Sequence, residues 1–257
     1  MTDHHTALQT DRSTGVWVSE LYQSVLRTRF PTIGQSHKVL THTDALIAQT
    51  GTDLTHLHSP EILAPILDRY CQNTYPGNDR RAAISMWSQW YFGMLLTPVM
   101  TLISMTGTCF PIGSDRIYLH VNEKGCPAGF DLFDRYLEHP VMPPENTAWH
   151  LHTPLITEHL DPLIAALANC SKAAPKLFWA NVGVIVAYVE KHILKGQGIS
   201  LAPLVTDAKM PDGSRNLLRD PYSSKLSSDG SPARRICCLR YMLDAVEMCP
   251  TCPLEKL

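Results

Sequence analysis

Apolar residues near the start of the chain recur at three- and four-residue spacing. Val16, Val18, Leu21, Val25 and Leu26 predict a helix over residues 15–29. Residues 30–58 are rich in Thr and His and hold neither a helical nor a strand period. Ser59-Pro-Glu-Ile then opens a second helix: Ser59 can cap it, Pro60 suits the first helical position, and Glu61 places an acid in the first turn. That helix should reach residue 73, where Tyr75-Pro-Gly-Asn78 signals a turn. Residues 84–114 contain no Asp, Glu, Lys or Arg. Within them Met86, Trp87, Trp90, Tyr91, Met94 and Leu95 recur at helical spacing and leave Ser85, Ser88 and Gln89 on a polar side. The pattern predicts a long helix over 80–97, a break or kink at Pro98, and a helical continuation to Met105.

The period then changes from helical to alternating. Arg116-Ile-Tyr-Leu-His-Val121 reads as a strand, and Gly129-Phe-Asp-Leu-Phe133 as its hairpin partner. Prolines 140, 143 and 144 mark a loop over 139–150. Two helices should follow, over 153–168 and 175–194, the second ended by Gly196. Residues 211–232 are dominated by Asp, Gly, Ser, Asn and Arg and read as a mobile connector. The predicted class is α+β and mainly helical, with one small β-hairpin. The predicted organisation is a polar disordered lead (1–13), a helical domain (14–210), the connector (211–232) and a cysteine-bearing C-terminal segment (233–257).

Composition narrows the classes. A chain of 257 residues with 44% apolar and 18% charged side chains can bury one large core. A net charge of −2 gives no electrostatic footprint for nucleic acid. The first fifteen residues are polar, without the apolar core of a secretory signal, so the expectation is a cytoplasmic protein. The uncharged stretch is long enough to cross a bilayer, but its Ser, Thr, Gln, Gly93 and Pro98 favour a buried core helix. A peripheral contact with the inner face of the cytoplasmic membrane is the third reading of that stretch.

The chemistry concentrates at the end of the chain. Four of eight cysteines fall within 237–257: Cys237-Cys238, then ten residues, then Cys249-Pro-Thr-Cys252. Cys71, Cys109, Cys126 and Cys170 stand alone and read as small buried hydrophobes. Four soft ligands suit zinc or an iron–sulfur cluster, and a reducing compartment favours metal over disulfide. Two thiolates on one tetrahedral metal lie roughly 3.8 Å apart, so the chain must bend at Cys237-Cys238 for both to serve one ion. A [2Fe–2S] centre relaxes this, because the adjacent pair can divide between two irons. Zinc, a [2Fe–2S] centre and a dithiol switch all remain open on chemistry alone. Arg234, Arg235 and Arg240 flank the pair; such cations either solubilise a tail or favour the more negative, reduced form of a cluster.

Arg-Arg-Ile-Cys-Cys-Leu-Arg-Tyr, ten residues from Cys238 to Cys249, and a final Cys-x-x-Cys together resemble the FhuF family of siderophore-iron reductases. Ser85-Met-Trp-Ser-Gln-Trp-Tyr-Phe-Gly-Met94 is similar to that family's Trp-x-Gln-Trp-Tyr segment, and Phe178-Trp-Ala-Asn-Val-Gly183 to its Trp-x-Asn-x-Gly segment. Pro250 departs from the family, which often has Gly there; proline has no N–H to offer a cluster sulfur. The resemblance implies a [2Fe–2S] cluster on Cys237, Cys238, Cys249 and Cys252. It also implies one-electron reduction of Fe(III) in an imported, hydroxamate-type siderophore. The electron must come from an external donor, a ferredoxin or a reductase, because no Gly-x-Gly-x-x-Gly nicotinamide or flavin fingerprint follows a strand. A non-enzymatic zinc- or cluster-bearing redox sensor or chelate binder is the alternative.

Six further residues could line a substrate pocket: Trp87, Gln89, Trp90, Trp179, Asn181 and Arg219. For the tryptophans the competing reading is core packing. Gln89 and Asn181 are polar groups on apolar helices and need partners. Arg215 and Arg219 fall in the connector, where solvated loop charge competes with contact to an anionic chelate.

Overall fold

The computed structural model describes residues 16–34, 37–40, 51–109, 117–133, 136–137, 147–227, 230–244 and 246–254. The disordered lead expected over 1–13 and most of the loop expected over 139–150 lie outside them. Strand β1 (Val16–Trp17) enters α1 (Val18–Tyr22), which continues as a π-helical turn, Gln23–Arg27. Helix α2 (Pro31–Gly34) follows. The unassigned stretch before Ser59 supplies two short strands, β2 (His37–Leu40) and β3 (Thr52–Asp53).

Helix α3 (Pro60–Thr74) starts where Ser59 and Pro60 predict, although the Ser59 hydroxyl donates to the Glu61 carboxylate instead of capping the backbone. Helix α4 (Arg80–Thr106) is the spine of the fold. Asp79 caps it by accepting from the Arg81 N–H, and Gly107 ends it in the left-handed region at φ +67°. The expected break at Pro98 does not occur, for the helix runs through it. Proline there removes one backbone bond at a cost of about 3 kcal/mol. Burial of Leu95, Leu96, Val99 and Met100 around it offsets that cost.

Strands β4 (Ile117–Val121) and β5 (Pro127–Phe133) form the predicted hairpin, with Ile117 opposite Leu132. The sheet order is β2-β5-β4-β3; β2 runs parallel to β5 and β3 antiparallel to β4. The short β6 (Tyr136–Leu137) pairs with β1. The hairpin turn is pinned to α4, since the Trp87 indole N–H donates to the Gly125 carbonyl at 2.9 Å. Gly125 has φ +82°, and a Cβ there would lie 2.6 Å from the Ile66 carbonyl oxygen, so only glycine fits.

Helix α5 (Thr147–Pro154) begins six residues before the expected start at 153 and runs through a π-helical stretch (Leu155–Leu160) into α6 (Asp161–Ser171). Helix α7 (Pro175–Tyr188) continues as a π-helical turn to Leu194, matching the predicted 175–194. Residues Pro175–Leu194 form the one helical segment, among the described residues, that is long and apolar enough to cross a membrane; 56% of its apolar window is buried within the protein, and it packs on α4. After α8 (Ala202–Thr206), the stretch read as a connector contributes buried Asn216 and Leu218. It then forms β7 (Tyr222–Leu226), paired antiparallel with β8 (Pro232–Arg234).

Candidate metal centre

Strand β8 delivers the chain to the cysteine segment and is held from both sides. The Arg234 N–H donates to the Thr251 carbonyl at 2.8 Å, and the Arg235 N–H to the Pro221 carbonyl at 2.9 Å. The first bond ties the start of the segment to its final Cys-x-x-Cys turn, itself closed by the Cys252 N–H on the Cys249 carbonyl at 3.0 Å. Leu239 adopts φ +63°, a left-handed conformation that a branched side chain rarely takes. It turns the chain directly after Cys238.

Cys238, Cys249 and Cys252 form a buried cluster separate from the main core, and Cys237 beside them is half-buried. The Cys238 and Cys249 sulfurs are 3.7 Å apart. That is the spacing two thiolates adopt on one tetrahedral metal, roughly 3.8 Å. Four cysteine thiols, one pair of them at that spacing, fit a [2Fe–2S] group, which four thiolates hold. The Leu239 N–H donates to the Cys237 sulfur and the Leu254 N–H to the Cys252 sulfur, each at 3.4 Å. Pro250 gives up a donor that these two amides partly replace.

Of the three sulfurs in this segment whose acidity shifts, only Cys238 is eased toward the thiolate. Contact between the Cys238 and Cys249 sulfurs, with help from Arg234, pulls the Cys238 thiol down, and the same contact pushes the Cys249 thiol up. Burial raises the Cys237 thiol.

Arg234 is the central positioning residue. Its side chain is buried, 4% exposed, and among the described residues no carboxylate forms an ion pair with it. One guanidinium nitrogen donates to the Asn181 carbonyl oxygen at 2.5 Å and another lies 3.5 Å from the Gln89 carbonyl oxygen. Its Nε has no partner among the described residues. The Asn181 amide donates in turn to the Ser85 and Ser88 hydroxyls at 3.2 and 3.1 Å. The Ser85 hydroxyl donates to the Cys238 carbonyl at 2.8 Å. The polar side foreseen on α4, the lone Asn of α7 and the first arginine of the cysteine segment thus meet in one buried network. An unpaired buried cation is costly, and the charge of Arg234 bears on the Cys237, Cys238 and Cys249 sulfurs.

The other predicted residues separate. Arg235 is exposed and pairs with Asp220 at 3.2 Å. Arg240 begins a short 3-10 turn, half-buried, with its Nε unpartnered. Trp87 is fully buried and stacks on Tyr91 with ring centres 5.2 Å apart, so it is core and reaches no solute. Trp90 is 57% exposed. Trp179 is nearly buried and borders a cleft of about 400 Å³ with Trp149, Arg215 and Leu217, remote in bonding from the cysteines. Arg219 is exposed and pairs with Asp220 at 3.3 Å. Sequence reasoning missed Ser85 and Ser88 as members of the network; their place opposite the apolar stripe was the available signal.

Comparison with known proteins agrees with this geometry. Residues 85–230 match the family described as "Ferric iron reductase FhuF-like transporter". Residues 234–254 match the "FhuF 2Fe-2S C-terminal domain". The chain is similar to a ferric siderophore reductase of Escherichia coli (strain K12), 25% identical over 265 residues that cover 95% of this chain and 99% of the relative.

Proposed function

Because the chain belongs to the family of FhuF-like ferric iron reductases and carries that family's 2Fe–2S domain, we propose that it reduces Fe(III) held in a siderophore to Fe(II) inside the cell. The observation that carries this reading is the cysteine segment, whose closest sulfurs stand 3.7 Å apart beside a buried, carboxylate-free arginine. Cys237, Cys238, Cys249 and Cys252 would hold the cluster. When bound, the [2Fe–2S] group supplies a donor and acceptor of single electrons. Arg234 balances the negative charge of the sulfurs, and the Leu239 and Leu254 amides donate to two of them. The Gln89–Asn181–Ser85 network fixes the segment on α4 and α7, so the centre is held rigidly.

Hydroxamate oxygens are hard donors that hold Fe(III) far better than Fe(II). One added electron loosens the chelate, and iron leaves with the chelator intact. The substrate we assign is a hydroxamate-type siderophore in the cytoplasm. The electron comes from a ferredoxin or reductase. Net turnover is tested with purified protein, a chemical or enzymatic electron source and a ferrous trap. The wild type, holding about two irons and two sulfides per chain, should form trapped Fe(II) from ferric hydroxamates. A protein with stoichiometric zinc and no sulfide, unable to form Fe(II), would favour a zinc-bearing binding or sensor protein instead.

A further inference from the structure

We propose that the ferric chelate docks in the shallow groove on the open side of α4, bounded by Trp90, Gly93, Met94, Thr97 and Pro98 with Gln89 at its inner end. This rests on the reductase reading above and adds where the substrate sits. The groove has a volume of about 350 Å³ and takes Thr32 of α2 as its far wall.

Four observations converge there. Trp90 is the most exposed tryptophan among the described residues, an indole face left in water on an otherwise buried helix. Gly93, one turn on, is unfavourable inside a helix. Packing does not require it, because a Cβ there would meet nothing within 4 Å among the described residues. A bare glycine lets a ligand approach the backbone closely. Pro98 has no N–H, so the Met94 carbonyl of the same wall lacks its regular helical partner. Gln89 joins the groove to the metal centre, since its carbonyl oxygen faces Arg234, which bears electrostatically on Cys237, Cys238 and Cys249. Gln89 and Arg234 thus form a side-chain link from the groove toward the cysteine segment.

The larger cleft near Trp149 and Trp179 lacks such a link; none of its side chains hydrogen-bonds to the cysteine segment among the described residues. It also carries Asp161, Asp212 and Arg215, whereas among the described residues the groove on α4 has no ionisable side chain in its wall. An uncharged groove suits a ferric trihydroxamate, in which three monoanions neutralise Fe(III). A ferric tricatecholate keeps three negative charges and would call for cations in the wall.

The probe is the gallium(III) complex of a linear trihydroxamate, which has the shape of the ferric complex and cannot be reduced. Binding is read by calorimetry and tryptophan fluorescence on the cluster-loaded full chain. Gly93→Leu projects a side chain into the groove from a position where a Cβ meets no described atom within 4 Å, and Trp90→Ala removes its platform. Each should weaken binding tenfold or more while the visible spectrum and reduction potential stay at wild-type values. Reoxidation of each reduced variant by ferricyanide should remain fast while reoxidation by the ferric trihydroxamate slows. Leu217→Glu, in the larger cleft, should bind as wild type. Wild-type binding by both groove variants, or loss of binding in Leu217→Glu alone, would overturn the assignment. If the gallium complex binds in the groove but the ferric complex fails to reoxidise the reduced protein, the reductase reading falls and the docking site stands.

Discussion

Replacing Arg234 by Gln removes the cation most closely tied to the sulfurs while keeping a side chain able to hydrogen-bond Asn181. A [2Fe–2S] centre with four thiolates gains one negative charge on reduction, and a nearby cation favours that form. At a separation of about 7 Å and an effective dielectric of about 20, one unit charge contributes roughly 2 kcal/mol. Ten-fold in equilibrium is 1.36 kcal/mol, and about 59 mV for one electron, so the loss is on the order of 100 mV. Burial of Arg234 limits screening by salt, so most of that should survive. Exposed Arg235, already paired with Asp220, should give only tens of millivolts. Asn181→Asp offers an independent arm. A carboxylate 2.5 Å from the guanidinium would neutralise Arg234 in place and should lower the potential in the same direction. The assay is an anaerobic redox titration followed by visible absorption and electron paramagnetic resonance, at constant pH and salt. Equal shifts in Arg234→Gln and Arg235→Gln, or an unchanged or raised potential in Arg234→Gln, would refute the view that Arg234 is the counter-charge of the centre.

Serine at Cys237, Cys238, Cys249 or Cys252 should abolish or severely weaken the cluster's visible bands, because the hydroxyl is a harder and less acidic ligand. Serine at Cys71, Cys109, Cys126 or Cys170 should leave them in place, and loss of the bands in a folded variant of this second group would overturn the ligand assignment. Stability should fall on acidification. Burial pulls His152 down to about 4 and His159 down to about 3, from 6.5 when unfolded. The unfolded chain therefore takes up these protons first; the contribution is complete above pH 6.5 and is lost as pH falls towards the folded values. Each group should cost about 2 kcal/mol between pH 7 and pH 5. Urea unfolding should show an earlier midpoint at pH 5, with a shallower dependence in His159→Gln; identical midpoints at both pH values would contradict this.

The cysteine segment was legible because its chemistry is local: four thiols within sixteen residues. Helices α3 and α7 were legible from period and start signals. The outer strands β2 and β3 were not, because edge strands of two to four residues in a Thr- and His-rich stretch have too few positions to show alternation. Pro98 misled because its local cost is outweighed by burial on nearly every side of α4. That same all-round burial hid which tryptophan faces water, since periodicity finds an exposed face only where one side is wet. The Gln89–Asn181–Arg234 network joins residues 92 and 53 positions apart. Sequence could say only that each polar group needed a partner, not that the partners were each other.

The central claim, that this centre gives its electron to a siderophore-bound Fe(III), is tested most directly by a single turnover. The cluster is reduced with dithionite, freed of excess reductant and mixed in a stopped-flow cell with ferric hydroxamate, catecholate and carboxylate siderophores and a ferrous trap. The account predicts that the visible bands of the oxidised centre return faster than in buffer with at least the hydroxamate class, with one Fe(II) trapped per chain. Reoxidation no faster than in buffer across the whole panel, with the trap present, would contradict it.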